Sequence, residues 1–228
     1  MTCILLIESS TQICSVAVSC NKKIVWSMHN SEVNSHSSVV GVFINEAVVF
    51  VKENNYQIKA VAVSAGPGSY TGLRIGISIA KGLCYGWNIP LIAIPTLKII
   101  AARLIPSSSY LCPMIDARRM EVYAALYDGH LKELDAAKPV IVDEGFYSDI
   151  LAKKEIIFFG NGSDKCKRII NSPNAIFVDN IHPLADNMND EALRAFEEKI
   201  FANLAYFEPF YLKDFQATIP KNKVIKNY

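Results

Sequence analysis

A short pattern near the start of the chain recurs in its second half. The segment IESSTQICSVAVSCNKK aligns with IDARRMEVYAALYDGH. Each has an apolar strand that ends in a carboxylate, Glu8 or Asp116, then a polar turn, a second apolar strand and a turn at Asn21 or Asp128. Since any two β-hairpins align to some degree, coincidence is the alternative to duplication. Duplication predicts two similar lobes with a cleft between them and an acidic residue pointing in from each lobe.

The first half of the chain alternates between strand and helix patterns. Apolar or alternating runs predict strands, and longer apolar periodic runs predict helices. In chain order these are strands at Cys3 to Glu8, Cys14 to Cys20 and IVWSMH, a helix from Ser35 to Asn54, a strand from Lys59 to Ser64, a helix from about Thr71 to Tyr85, a strand from Pro90 to Ile94 and a helix opened by Pro95. This order predicts an α/β fold whose mixed sheet has parallel members.

The second half has weaker patterns. A strand, a glycine turn and a helix are expected from Glu155 to Cys166, an amphipathic helix from Asn189 to Ala205, and a late strand or extended segment at EPFYLKDFQ. We predict an N-terminal lobe at residues 1–106 and a smaller C-terminal lobe at residues 107–228.

Charge and cysteine usage exclude several classes of protein. The net charge of +1 does not fit a protein that holds nucleic acid by itself, and we interpret the lysines of the KNKVIKNY tail as a solvated end. No two of the six cysteines have C-x-x-C spacing. The start lacks a signal-peptide pattern, and no uncharged stretch is long enough to span a bilayer. We therefore expect a cytosolic protein with reduced thiols.

The carboxylates of the repeat suggest a nucleotide cleft. Glu8 and Asp116 have the chemistry to position a hydrated cation and a phosphate, although strand ends and turns are polar in any fold. The candidate nucleotide-binding residues, interpreted as vestigial, are Glu8, Ser10, Thr11, Gly66, Gly68 and Asp116.

The glycine-rich stretch SAGPGSYTGLRIGISIAKG, from Ser64 to Gly82, is not a known phosphate or nucleophile motif. Leu73 follows Gly72 where a Walker A loop needs lysine, and the spacing of G-x-S-x-G is missing. Backbone N–H groups at the helix start have the geometry to hold an anion. We instead predict a packing role, because glycines permit a sharp turn and a close helix approach.

The histidine positions do not favour a metal site. The four histidines are far apart in sequence, and the residue one turn after His36 is Val40, which cannot ligate a metal. No H-E-x-x-H motif occurs, so a zinc peptidase is not supported. We predict neither a bound metal nor a catalytic residue.

Two of the predicted helices, Ser35 to Asn54 and Thr71 to Tyr85, are too apolar for an ordinary surface. An outer helix of an α/β sheet needs one apolar face, whereas these two have a wider apolar arc. The additional apolar surface is covered either by other elements of the chain or by a partner. The predicted partner interface consists of Val39, Phe43, Ala47, Phe50, Gly72, Ile75, Gly76, Ile79, Ala80 and Leu83.

Three motifs together resemble the TsaB (YeaZ) family, strongly from about Cys3 to Tyr127 and weakly beyond. These are LLIESSTQICSVAV, SAGPGSYTGLRIGISIAKGL and IDARRMEVYAALY. The resemblance implies two RNase H-like lobes of the actin, Hsp70 and sugar-kinase type, with the second lobe reduced. It also implies the dimerisation subunit of the bacterial machinery that makes N6-threonylcarbamoyladenosine in tRNA.

The resemblance further implies that the chain is not itself an enzyme and has no cofactor. The catalytic paralogue TsaD binds its metal with a His-x-x-x-His pair, of which only His36 is present here. The expected partners are TsaD, the ATPase TsaE, tRNA through the complex only, and a second copy when the chain is alone. The family more often has aspartate where this chain has Glu8, which weakens the case for nucleotide chemistry. The alternative is an active ATPase or phosphotransferase that uses Glu8 and Asp116.

Overall fold

The computed structural model describes residues 2–30 and 36–211. Its first half forms a five-stranded sheet with strand order β3-β2-β1-β4-β5. The strands are β1 (Thr2–Glu8), β2 (Cys14–Cys20), β3 (Lys23–Asn30), β4 (Gln57–Ser64) and β5 (Leu91–Ile94), and the helices are α1 (His36–Glu53), α2 (Tyr70–Trp87) and α3 (Thr96–Ala101). The order of elements is the one that the sequence predicts.

The second half repeats this sheet with the order β10-β9-β6-β7-β8. Its elements are β6 (Tyr110–Asp116), β7 (Glu121–Tyr127), β8 (Glu133–Ile141), α4 (Ser148–Leu151), β9 (Ile156–Phe159), β10 (Ala175–Val178) and α5 (Asn189–Glu197). In both sheets the central strand pairs antiparallel with the next strand and parallel with a later one. The matching topology confirms the predicted α/β fold with two similar lobes, and the short α4 shows that the second is reduced.

The central strands of the first sheet lack polar alternation because both of their faces are covered. On one face, α1 and α2 pack on alternate residues of β1, such as Leu5 and Ile7. On the other face, Leu6 packs with Ala192 and Ala195 of α5. The helix α3 in turn contributes Leu97 and Ile100 to the core of the second sheet. The boundary at residue 106 stays a prediction.

The end of α5 and the state of one cysteine pair differ from the sequence expectations. The helix expected to reach Ala205 ends at Glu197, and Lys199 takes a left-handed conformation (φ 57°), which is a common way for a helix to stop. Cys3 and Cys20 face each other on β1 and β2 and form a disulfide, so the expectation that all thiols are reduced is wrong for this pair.

A C-terminal strap, residues 199–211, follows α5 and crosses the first lobe. Ala202 forms an antiparallel bridge with Leu91 at the edge strand β5. Residues 208–211 form no strand, which leaves the extended segment as the remaining expectation for EPFYLKDFQ. The rest of that segment, like the basic tail, lies outside the described residues. Within the described ranges, no helix is long and apolar enough to cross a membrane.

Candidate functional site

The carboxyl end of β1 carries the first group of predicted nucleotide-binding residues. Glu8, Ser9 and Ser10 have no exposed surface, and Thr11 is buried too. The backbone N–H of Ser10 donates a hydrogen bond to Glu8 Oε1 at 2.6 Å. Ligands of open α/β sheets bind outside such strand ends, but here the strand end is covered by the chain itself.

The glycine stretch provides that cover. The backbone N–H of Ser69 donates to the carbonyl oxygen of Ser10 at 2.6 Å. A β-carbon on Gly68 would lie 2.4 Å from that same oxygen, closer than real β-carbons approach. The loop therefore packs directly on the segment that was expected to hold phosphate.

The small-residue face of α2 continues this contact along the turn after β1. A β-carbon on Gly72 would lie 2.1 Å from the carbonyl oxygen of Ser9, and one on Gly76 would lie 2.2 Å from Ser9 Oγ. Ser9 Oγ donates to the carbonyl oxygen of Gly72 at 2.8 Å. The close neighbour that the glycines admit is thus the β1–β2 turn of the same chain.

Donors at the start of α2 are also engaged within the chain. Ser69 Oγ accepts from the backbone N–H of Gly72 at 3.2 Å, and the carbonyl oxygen of Ser69 accepts from Leu73. Gly66 has a left-handed φ of 107°, and a β-carbon there would lie 2.6 Å from the carbonyl oxygen of Phe210. The strap therefore closes this loop from outside.

Burial decides the charge of Glu8. The loss of hydration raises the pKa of Glu8 from 4.5 to about 7, and hydrogen bonds from Ser10 and Ser64 only partly oppose this shift. Glu8 Oε2 has no hydrogen-bond partner among the described residues. Burial and the nearby Glu8 raise the pKa of Cys14 to about 12. A carboxylate ligand for a cation must be ionised, and burial disfavours the ionised form of this carboxyl group.

Asp116 occupies the equivalent strand end in the second lobe and forms a salt bridge with Lys165. Lys165 Nζ also donates to the carbonyl oxygens of Arg119, at 2.8 Å, and Glu121, at 2.6 Å. The backbone N–H of Asp116 donates to Asn161 Oδ1 at 3.0 Å. The sequence reasoning missed Lys165, whose signal is a lysine shortly after the glycine turn of the second repeat.

A cleft of about 890 Å³ lies between the lobes, but none of the six predicted nucleotide-binding residues lines it. Its walls come from α3, the β7–β8 turn and α5. Lys98 and Arg194 both contact Glu191 there. Among the described residues, no group of three or more histidine, cysteine, aspartate or glutamate side chains is placed to hold a metal ion.

The predicted interface residues divide into two sets of five. The first set is buried in the chain's own core: Phe43, Ala47, Gly72, Gly76 and Ala80. These residues pack the protomer and offer almost no surface to a partner, which is a correction to their assignment. The second set is half-buried and stays a prediction: Val39, Phe50, Ile75, Ile79 and Leu83.

Further apolar surface lies beside this second set. Val42 and Val49 on α1 are 53% and 44% exposed. A groove of about 360 Å³ runs between β3 and α1, lined in part by Met28 and Val42. Tyr85 on α2 is 83% exposed. These residues make α1 and α2 the apolar face of the first lobe.

Two polar residues of α2, Arg74 and Lys81, donate hydrogen bonds to the strap. Lys81 Nζ donates to the carbonyl oxygens of Ala205, at 3.1 Å, and Phe207, at 3.2 Å. Arg74 Nε donates to the hydroxyl of Tyr211 at 3.0 Å, and its guanidinium lies 4.0 Å from the ring centre of Tyr70. The strap is therefore a fixed neighbour of the apolar face.

Comparisons with known proteins agree with this architecture. The chain matches the family model described as TsaD, tRNA N6-adenosine threonylcarbamoyltransferase, over residues 30–221. The tRNA threonylcarbamoyladenosine biosynthesis protein TsaB of Escherichia coli is 30% identical over 92% of this chain and 94% of that protein. TsaB of Bacillus subtilis is 32% identical over 50% of this chain and 51% of that protein.

A solved structure has the same fold. It is an uncharacterised protein from Pseudomonas aeruginosa with similarity to peptidase YeaZ, and it covers 93% of this chain and 100% of its own. The TM-score is 0.82 at 23% identity. On the nearly full-length match to the Escherichia coli protein, the chain belongs to the TsaB (YeaZ) family.

Proposed function

We propose that the chain is a non-catalytic subunit required for forming N6-threonylcarbamoyladenosine in tRNA, and that it works in the cytoplasm. The observation that carries this proposal is the match to TsaB of Escherichia coli along nearly the whole of both chains. That protein is named for the biosynthesis of this modified nucleoside. The match to the TsaD family model supports descent from a common ancestor with the transferase.

The packed strand end supports a role without catalysis. Gly68 and Ser69 lie directly on Ser10, and Glu8 is enclosed. The alternative, an active ATPase or phosphotransferase, needs this strand end open and charged. The test is ATP turnover by the purified chain with Mg²⁺. We expect no turnover above background, and a rate that disappears in Glu8→Gln would instead favour the alternative.

The partner proposed for the apolar face is TsaD. A paralogue with the same lobe would present an equivalent pair of helices, and pairing them would remove Val42 and Val49 from water. These two valines are two helical turns apart and lie on one side of α1. When the chain is alone, a second copy would occupy the same face, so we propose a homodimer under those conditions.

The interface is tested with Val42→Arg and Val49→Arg. Both residues are exposed in the protomer, so the variants fold, but each buries an unpaired charge if the face is covered by a partner. We expect affinity for TsaD, measured by calorimetry, to fall at least about tenfold. Ile141→Arg is the matched control, because Ile141 is 71% exposed on β8 of the other lobe. Wild-type affinity in both α1 variants would place the interface elsewhere.

The remaining partners follow from this assembly. We propose that TsaE joins the pair formed by this chain and TsaD, and that tRNA is bound through the complex. Affinity for nucleic acid depends steeply on the number of phosphates that a protein neutralises. The chain alone has a net charge of +1, so it neutralises few phosphates. A mobility-shift titration at physiological salt should show weak binding, and submicromolar binding would contradict the proposal.

A further inference from the structure

The turn between β6 and β7 carries two exposed, adjacent arginines, Arg118 and Arg119. Neither guanidinium forms a salt bridge with a carboxylate within residues 2–30 and 36–211. The turn lies at the end of the central strand of the second sheet, and Asp116 immediately before it is already paired with Lys165. Two positive charges are therefore available at the tip of one hairpin.

The backbone of this turn is unfavourable for arginine. Arg118 and Arg119 have left-handed φ angles of 71° and 53°, a region that side chains other than asparagine, aspartate and glycine rarely adopt. The two left-handed residues of the β2–β3 turn are Asn21 and Lys22, so asparagine takes the first of the two positions there. An Asn-Gly pair would suit such a turn better, so the two arginines are not explained by folding.

Lys165 holds the turn in this conformation. Its ammonium group donates to the carbonyl oxygens of Arg119 and Glu121, while Asp116 Oδ1 accepts from the backbone N–H of Arg118 at 3.1 Å. These bonds connect the turn to the segment after β9. The two guanidinium groups thus extend from a fixed base, a geometry suited to contact with a rigid anionic partner.

We infer that Arg118 and Arg119 contact backbone phosphates of the RNA substrate in the assembled complex. This inference rests on the proposed function. Guanidinium groups recognise phosphate with paired hydrogen bonds, and arginine is among the side chains that make the many backbone contacts of nucleic-acid-binding proteins. A protein interface instead needs a continuous buried area with apolar anchors, and this tip has one exposed apolar side chain, Met120.

The test measures tRNA binding by the complex of this chain with TsaD and TsaE as a function of salt. The variant Arg118→Asn/Arg119→Gly removes both charges and suits the left-handed backbone, so it should fold at least as stably as the wild type. We expect the slope of log K against log salt to become shallower by about 1.4 to 1.8, or about 0.7 to 0.9 for each phosphate contact. Arg118→Lys/Arg119→Lys should keep most of the slope.

Lys22→Gly/Lys23→Thr is the matched control, because it removes two exposed positive charges, one from the β2–β3 turn and one from the start of β3. It should leave the slope unchanged. An unchanged slope in the arginine variant, or an equal loss in the control, would overturn the inference. Lost binding of TsaD or TsaE by the arginine variant would also overturn it and assign the tip to a protein contact.

The proposed function and this inference fail in distinguishable ways. If the wild-type chain does not co-elute with TsaD, the proposed function fails. The variant Arg118→Asn/Arg119→Gly and the control Lys22→Gly/Lys23→Thr are then compared as isolated chains for tRNA binding at low salt. A selective loss in the arginine variant would still support an RNA contact, and equal binding by both variants would overturn it.

Discussion

Replacing Glu8 by glutamine should make the protein more stable above neutral pH. The glutamine has nearly the same shape, and its side-chain oxygen can still accept the hydrogen bond from the N–H of Ser10. What the substitution removes is the charge that Glu8 must carry when it ionises in a fully buried position. Burial raises the pKa of Glu8 above its value in the unfolded chain, so the folded state binds the proton more tightly.

The size and direction of the effect follow from the two pKa values. Below pH 4.5, Glu8 is protonated in both states and contributes nothing to the pH dependence. Between 4.5 and about 7 only the unfolded state releases the proton, so the stability of the wild type falls as pH rises. The total loss is about 3 kcal/mol and is complete above the folded-state pKa.

Urea unfolding of wild type and Glu8→Gln from about pH 5 to about pH 8 measures this loss. The difference in unfolding free energy should grow with pH in favour of the variant and reach about 3 kcal/mol at the top of the range. Glu46→Gln, on the exposed side of α1, is the control and should run parallel to the wild type. If the Glu8→Gln curve also runs parallel, the carboxyl group is solvated and the strand end is open.

Other substitutions test the packing of the glycine stretch and the strap. Gly68→Ala places a β-carbon 2.4 Å from a backbone oxygen and should lower the free energy of unfolding by about 2 kcal/mol or more. Gly82→Ala, within α2, meets open space and should raise the free energy of unfolding by about 0.5 to 1 kcal/mol. Ser69→Ala removes the cap of α2, which is worth about 1 kcal/mol in thermal or urea unfolding. Lys81→Met removes two bonds to the strap, so limited proteolysis should cut residues 199–211 faster, and an unchanged cleavage rate would show that other contacts hold the strap.

The two-lobed fold was predictable because duplication leaves a local signal. Each repeat keeps an apolar strand, a carboxylate and a turn at similar spacing, and these are properties of neighbouring residues. Glu8 and Asp116 do end the central strands of the two sheets. A role for glycine in close approach was also predictable, because the small residues Gly72, Gly76 and Ala80 recur every four residues.

The environment of each candidate residue was not predictable in the same way. The sequence does not reveal that the glycines meet Ser9 and Ser10, since this contact joins segments far apart in the chain. The burial of Glu8 depends on that contact, and so does its raised pKa. The partner of Asp116, Lys165, also comes from a distant turn. Chemistry assigned to a strand end therefore depends on which later segment covers it.

The most direct test of the proposed role is the formation of threonylcarbamoyladenosine in tRNA with this chain, TsaD and TsaE, omitting one protein at a time. We expect that this chain alone produces no modified adenosine, and that formation of modified adenosine by TsaD with TsaE requires its addition. Modified adenosine made by this chain alone would contradict the assignment of a non-catalytic subunit. Full activity of TsaD and TsaE without it would contradict the requirement for this chain.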